Sequence, residues 1–523
     1  MGCPYVRTCA TVRAHRTDRT SCSGVIMPNQ SARLSRRRFL RGSAATAAAL
    51  ATTTTLPGLA LAQPLAASAP NVAIIGAGLA GLNAAYRLRQ AGIQATVYEA
   101  RNRVGGRAFS IRSASGLIYD LGGEFINSDH ADMLDLVDEL GLQVFNRNAE
   151  AAATKLPGSA YYLAGQDLSE ATVAADFGPL QRQIVTDANR LFGNYATVAA
   201  EFDPLSVRQY LDRHKSKITK PYVRTLMENA IRTEYGVEPA DSSALQLLFL
   251  FPSVSGQTVE VLGYSDEAYS VVGGSGRIAE ELARRLPGQV QLNRVLRRVA
   301  PSGSGYRLEF TGGAAVTADR VLITVPASVL RTIQFDVTLP SAFRSYLAEI
   351  SLGRDEKLFA EFSQRAWRTS QKFSQDAWTD FGFSSVWDGT QRQIDRPDAA
   401  LTFFYGGAEV NAMPSNTTGY NAALARLATR VPGLQAAATG QFTRSNWTTD
   451  PFSRGGYVNF RPGQLTRWAD FFWIEANNAK GRQQVAFGNL LFAGEHTSDE
   501  WYGFMNGAAQ TGRLAADVIL QGL

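Results

Sequence analysis

The sequence predicts an α/β fold with a dinucleotide-binding unit near its start, and three observations predict it. Val72-Ala73-Ile74-Ile75 is an unbroken apolar run of the kind found in strands buried on both faces. It leads into Gly76-Ala77-Gly78-Leu79-Ala80-Gly81, which opens a helical run over residues 82–91 that stops at Gly92. A second strand, residues 95–98, ends on Glu99, 18 residues past Gly81. Each glycine has a separate reason. Gly76 permits the tight turn, Gly78 lets backbone approach a pyrophosphate at the helix N-terminus, and Gly81 packs helix on strand. Glu99 sits where an acid takes a ribose hydroxyl.

Ahead of this unit lies a stretch of different character. Of the formal charge of +6 in 523 residues, residues 1–62 contribute nine arginines and one acid, Asp18, so the remainder is slightly acidic. A body with that balance lacks the electrostatic footprint of a nucleic-acid binder. All three cysteines (Cys3, Cys9, Cys22) also lie in this stretch, which excludes a disulfide framework, a Cys-ligated metal and a Cys nucleophile from the rest. Ser35-Arg36-Arg37-Arg38-Phe39-Leu40-Arg41, a weakly apolar run over residues 42–61 and the small-x-small pattern Ala60-Leu61-Ala62 resemble a bacterial twin-arginine export signal. Met27 would give that signal an ordinary length. The expected partner is the twin-arginine export machinery, the expected location periplasmic or secreted. Such export carries folded proteins, which fits a protein that must first acquire a cofactor. The longest later apolar run, residues 245–251, is too short to span a bilayer, so no stable membrane insertion is expected.

The residues after Glu99 narrow the dinucleotide. Ala100-Arg101-Asn102-Arg103-Val104-Gly105-Gly106-Arg107 extends the fingerprint with paired glycines and arginines suited to a longer phosphate-bearing ligand. Here the chain resembles the flavin amine oxidase family, which includes monoamine, polyamine and L-amino-acid oxidases. Further matches follow in order: Asp120-Leu121-Gly122-Gly123-Glu124-Phe125-Ile126, a strand beside the flavin ring; Gly273-Gly274-Ser275-Gly276 followed by Val295, backbone against the adenine half; Ala318-Asp319-Arg320-Val321-Leu322-Ile323-Thr324-Val325-Pro326; and Leu491-Phe492-Ala493-Gly494-Glu495-His496 with Gly503-Phe504-Met505-Asn506-Gly507-Ala508, the closing flavin segment.

The resemblance implies a Rossmann-like, glutathione-reductase-like FAD domain assembled from residues 70–150, 265–335 and 480–523. An α+β substrate domain, residues 151–264 and 336–479, is interleaved with it. Residues 180–251 read as helical, with Asp241-Ser242 as a cap signal, and strand-like alternation marks residues 358–362 and 401–405. The implied cofactor contacts are Gly76, Gly78, Leu79, Ala80, Gly81, Glu99, Ala100, Arg101, Gly106, Arg107, Gly122, Gly123, Glu124, Val295, Trp447, Gly494, Glu495, Phe504 and Met505. Gly456 stands where some members attach flavin through cysteine, so noncovalent FAD is expected.

Two constellations carry the implied chemistry. Lys357 has Gly353 four residues before it and Trp367 ten after, the family spacing of the lysine that holds a water near flavin N5. Tyr457, ten residues after Trp447, and Phe504 match two upright rings between which an amine passes, with Trp501 beside them. The implied reaction is hydride transfer from the amine α-carbon to flavin, hydrolysis of the imine, and reduction of O2 to H2O2. The histidines His130, His214 and His496 are too scattered for a triad, and no metal is expected.

For the substrate, Glu124-Phe125 occupies a stretch where L-amino-acid oxidases of the family carry an arginine. An acid there favours a cationic amine, a diamine or spermidine-like polyamine, with Glu124 as its partner and Asp129, Asp499 and Glu500 as further charge. Two alternatives stand beside this: an L-amino-acid oxidase with its carboxylate clamp at Arg232 or Arg461, and an FAD-dependent desaturase, isomerase or non-catalytic flavin scaffold.

Overall fold

A computed structural model of the chain describes residues 70–475 and 485–522, and the expected export segment, residues 1–62, lies outside them. The first strand, β1 (Val72–Ile75), is buried at every position. It runs parallel between β2 (Ala95–Tyr98) and Arg320–Ile323. Val290–Gln291 and Leu490–Phe492 extend this sheet in parallel on its two sides, and Ala486–Phe487 closes one edge antiparallel. One six-stranded sheet thus draws its strands from three separated stretches of sequence.

The helix after β1, α1 (Leu79–Gln90), begins three residues before the expected start. Gly78 is its N-cap in an extended conformation, so the third glycine lies inside the first turn. A Cβ on Gly81 would come 2.0 Å from the Gly76 carbonyl oxygen, and Gly76 itself holds φ +106°, which favours glycine. The C-terminal helix Met505–Gln521 packs on α1, with Gly512 so close that a Cβ would sit 2.2 Å from the Ala80 carbonyl oxygen.

A second, seven-stranded sheet runs in the order Ala438–Arg444, Asp355–Phe362, Ala399–Gly406, Ser385–Asp388, Asp376–Thr379, Ser159–Leu163, Gln166–Leu168. Its two long strands are buried at every position, because both faces of the sheet are covered. Alternation therefore separates two interiors. Leu358, Ala360 and Phe362 enter an aromatic core with Trp367, Phe383 and Tyr420, while Asp355 and Lys357 turn toward the dinucleotide sheet and line a cavity. The last two strands come from residues 159–168, inside the first part of the expected substrate domain but ahead of the stretch read as helical. Ser-Ala-Tyr-Tyr-Leu at residues 159–163 is short and aromatic, which suits a strand better than a helix turn.

Beyond that hairpin the expectation of helices holds: Glu170–Gly193, Tyr195–Phe202, Val207–Arg213, Pro221–Tyr235 and Ala244–Leu250 follow one another. Ser243, one residue past the expected cap signal, caps the last of these by accepting from the Leu245 N–H at 3.2 Å. Pro221 starts Pro221–Tyr235, and Gly236 ends it in the left-handed region at φ +63°.

Candidate functional site

Between the two sheets lies a cavity of about 590 Å³. One end is built from backbone. Gly76, Gly78, Leu79 and Ala80 form its floor, and Gly106 lies so near Gly78 that a Cβ would come 3.3 Å from the Gly78 Cα. No side chain caps α1 and no acid occupies its first turn, which leaves the first-turn N–H groups available to an anion. Gly81 does not line the cavity; it acts beneath the turn, as its close approach to Gly76 requires.

Glu99, buried at the tip of β2, has its oxygens 2.8 Å from the N–H groups of Ala77 and Arg101. Ala100, Val295 and the flanking Arg294 and Arg297 continue this wall. The Gly273-Gly274-Ser275-Gly276 segment does not. It stands behind the wall, where Ser275 bonds Asp120 and Gly123, and it starts the helix Gly276–Arg284. Arg101 and Arg107 line the cavity and are themselves anchored, Arg101 to Asp450 at 2.6 Å and Arg107 to Glu495 at 2.9 Å. Glu495 also accepts from the Gly503 N–H at 2.8 Å, tying the closing segment together.

Toward the other end the floor passes Gly122, Gly123, Gly494 and Met505. The Met505 side chain lies against Gly123, where a Cβ would meet its Cγ and Sδ at 2.9 Å. Trp447 lines this stretch and donates Nε1–H to the Leu121 carbonyl at 2.7 Å. An open cleft with uncapped helix N–H groups, close glycines and flanking arginines suits a dinucleotide, so the residues fit FAD.

The far end is built from side chains. Lys357 is only 8% exposed, contrary to the solvent-facing default for a strand lysine. Its ammonium donates to Glu124 Oε2 at 2.7 Å and to the carbonyls of Gly122 and Asp120 at 2.9 and 3.1 Å. The Trp387 ring centroid lies 5.3 Å from it. Three donors meet three protein acceptors, so a water at Nζ requires one of these bonds to open. Glu124 is buried too and faces the Trp387 Nε1–H at 3.3 Å. The carboxylate expected to meet a substrate ammonium is therefore neutralised by Lys357.

Tyr457 and Phe504 both line the cavity. The Tyr457 hydroxyl donates to the Thr233 carbonyl. Phe504 packs edge-on against His130 at 5.0 Å, and so does Trp501, which lies outside the cavity lining. Asp129 is likewise absent from this cavity and lines a second one, while Asp499 and Glu500 line neither. His496 is buried away from the cavity, with its pKa lowered to about 4 by burial, and stays neutral.

Three acids that the sequence reading did not single out complete the wall: Glu234, Glu267 and Asp355. Glu234 has no hydrogen bond and no ion pair among the described residues. Burial, and then the charges of Glu267 and Asp355, hold its pKa well above the usual carboxylate range. Burial pushes Glu267 up to about 7 against the opposing pull of Arg147. Asp355 is also raised by burial, and it occupies room left by two glycines, since a Cβ on Gly236 or Gly456 would come 2.3 or 2.4 Å from its oxygens. A sequence signal for Glu234 existed. Val223, Leu226, Met227, Ala230 and Ile231 form the buried stripe of Pro221–Tyr235, and position 234 continues it with an acid.

Arginines proposed as a carboxylate clamp are elsewhere. Arg232 is held by Glu238 at 2.8 Å, and neither Arg232 nor Arg461 lines the cavity. Among the described residues no cluster suits a metal ion, and no helix is long and apolar enough to cross a membrane.

A glycine-built dinucleotide cleft meeting an aromatic and acidic chamber defines a nucleotide-cofactor oxidoreductase. A profile of flavin containing amine oxidoreductases matches residues 79–520, and the chain belongs to that family. It is a flavin-dependent, amine-oxidising enzyme whose cofactor is FAD. The chain is 26% identical over 477 residues to amine oxidase [flavin-containing] B of Canis lupus familiaris, spanning 87% of this chain and 86% of the relative. It is 25% identical over 466 residues to amine oxidase [flavin-containing] A of Sus scrofa, spanning 87% and 85%. Among solved structures, wild-type putrescine oxidase bound to putrescine superposes with a TM-score of 0.73 at 25% identity, covering 86% of this chain and 99% of that one. Cyclohexylamine oxidase from Brevibacterium oxydans shares the fold at a TM-score of 0.71 and 23% identity, covering 87% and 99%.

Proposed function

We propose that the enzyme oxidises diamines or polyamines, and the observation that carries this reading is Glu234. A carboxyl on the cavity wall with no cation of its own is stabilised by a substrate that brings one. Glu267 and Asp355 add to the same field, while Lys357 is already paired with Glu124 and Arg147 lies 3.5 Å from the Glu267 carboxylate. A substrate carboxylate would meet these acids, which disfavours the L-amino-acid alternative. The putrescine-bound relative supports a dicationic ligand for this architecture.

FAD, held by Gly76, Gly78, Ala80, Arg107, Gly122 and Gly494, would supply the two-electron acceptor for a hydride from the carbon next to nitrogen, with O2 as the final oxidant and H2O2 as its product. The chain's own residues do the rest. Tyr457 and Phe504 flank the reacting amine, which enters neutral, while Glu234 and Glu267 hold the distal ammonium and fix how deep the chain sits. Trp387 and Phe404 wall the chamber and limit water at the reacting carbon. The imine product is hydrolysed to an aldehyde and a shorter amine, or ammonia from a primary amine.

Glu234→Gln should lose roughly 1.5 to 3 kcal/mol of charge-assisted hydrogen bonding, about ten- to a hundredfold in kcat/KM for putrescine or spermidine. Phenylethylamine, with one nitrogen, should change little. Peroxide release on this substrate panel measures both. Efficient turnover of L-amino acids with none of diamines would overturn the reading.

We also propose that residues 1–62 direct twin-arginine export to the periplasm, on the Arg36-Arg37 pair followed by Phe39-Leu40. Arg36→Lys with Arg37→Lys should leave enzyme and flavin in the cytoplasmic fraction; unchanged fractionation rejects the assignment.

A further inference from the structure

Beyond Glu267 lies a second and larger cavity, of about 1210 Å³, between the helical part and the edge of the seven-stranded sheet. Ser265 and Glu267 belong to the walls of both cavities, so the two meet at this point. The larger wall carries six carboxylates and a single basic side chain, Arg147. Arg147 is already engaged: its guanidinium lies 3.7 Å from the Phe125 ring centroid, donates to the Glu267 carbonyl at 2.8 Å and stands 3.5 Å from the Glu267 carboxylate. Glu170 and Asp266 are tied to the Val259 and Ser128 N–H groups, both at 2.9 Å.

Asp376 is different. Its Oδ1 is buried on this wall with no close hydrogen-bond donor among the described residues, and burial, opposed by Ser159 and Arg147, pushes its pKa up to about 6. Glu260 stands on the same wall, exposed. Phe192, Leu262 and Trp378 supply apolar surface between the acids. A concave acidic wall concentrates cations, and an uncompensated buried oxygen is relieved by an N–H donor. Apolar surface between the charges suits methylene segments that separate nitrogens.

We propose that this chamber is a subsite for the distal ammonium of a linear triamine or tetraamine, whose chain passes Glu267 and presents its reacting nitrogen between Tyr457 and Phe504. This rests on the diamine or polyamine reading and adds a second chamber, past the inner acids, for the nitrogens beyond the second. A diamine is held by the inner acids alone. A longer polyamine gains Asp376 and Glu260.

The test compares putrescine, spermine and phenylethylamine in steady-state peroxide release by holoenzyme. Asp376→Asn and, separately, Glu260→Gln should each raise KM for spermine by roughly tenfold with kcat retained, while KM for putrescine stays within about twofold. Flavin content and thermal midpoint verify that Asp376→Asn folds, and Glu260→Gln on the exposed wall gives an independent reading. Equal shifts for putrescine and spermine, or no shift for either, overturn the subsite while leaving the diamine reading intact. Wild-type enzyme that oxidises phenylethylamine but neither putrescine nor spermine overturns the reading beneath it.

Discussion

The two ends of the central cavity are made by opposite means. At the dinucleotide end the ligand meets backbone, and identity is dictated by space: Gly76 and Gly81 admit no side chain, and Gly106 rests on Gly78. At the amine end the ligand meets side chains from distant strands and helices, such as Glu124, Glu234, Glu267, Lys357 and Tyr457. Backbone recognition needs a fixed local spacing. Side-chain recognition needs only that some residue reach the same point, so its members are free to come from anywhere in the chain. The first is rigid and intolerant, the second adjustable by single substitutions.

The largest effect is expected where that contrast is sharpest. Gly81→Ala places a Cβ about 2.0 Å from the Gly76 carbonyl oxygen, so the turn must open and the cleft lose its shape. The purified protein should lack visible flavin absorbance while far-UV circular dichroism still reports folded structure. Full flavin content in Gly81→Ala would break the comparison.

A smaller effect tests whether the amine end is adjustable. Lys357→Met leaves Glu124 buried without its cation, a loss of about 3 to 5 kcal/mol in the stability of the fold. Because the two groups compensate each other, Lys357→Met with Glu124→Gln should be more stable than Lys357→Met alone. Urea unfolding of wild type, Lys357→Met, Glu124→Gln and the double variant measures this. Additive losses would show that the pair is not the unit described.

The smallest effect concerns protonation. Glu267, raised to about 7, is a neutral acid below that pH and a carboxylate above it. The ratio of kcat/KM for putrescine, wild type over Glu267→Gln, should therefore be near one in mild acid and rise several-fold as pH passes about 7. Titration of the amine itself cancels in the ratio. Phenylethylamine should give a flat ratio, and a diamine ratio equally flat would remove Glu267 from the ammonium site.

What the sequence made legible follows the same division. The strand–turn–helix from Val72 to Gln90 and the placement of Glu99 were readable because glycine spacing and β-branched runs are local. Lys357 and Tyr457 were readable through their neighbours. The partner of Lys357 was not, since Glu124 lies more than 230 positions away and meets it only when the two sheets close over one cavity. Glu234 and Glu267 were missed because an acid on a helix or before a strand is usually solvated, and here the enclosing walls come from other segments. Asp129 and Trp501 show the opposite error. Their sequence neighbours line the site, yet one faces the outer chamber and the other packs behind Phe504 through His130.

The six-stranded sheet has one more consequence, and it concerns time. β1, which leads into the cofactor turn, is among the first described strands to leave the ribosome, yet its neighbour Arg320–Ile323 and the supporting helix Met505–Gln521 come far later. At about 5 to 20 residues per second, the interval between synthesis of α1 and of the helix packed on it is roughly 20 to 90 s. During that interval β2 can already pair with β1, but the face of α1 that the last helix covers stays open to water. Truncation within the last helix is then a defect of cofactor loading, even though no reacting group is removed.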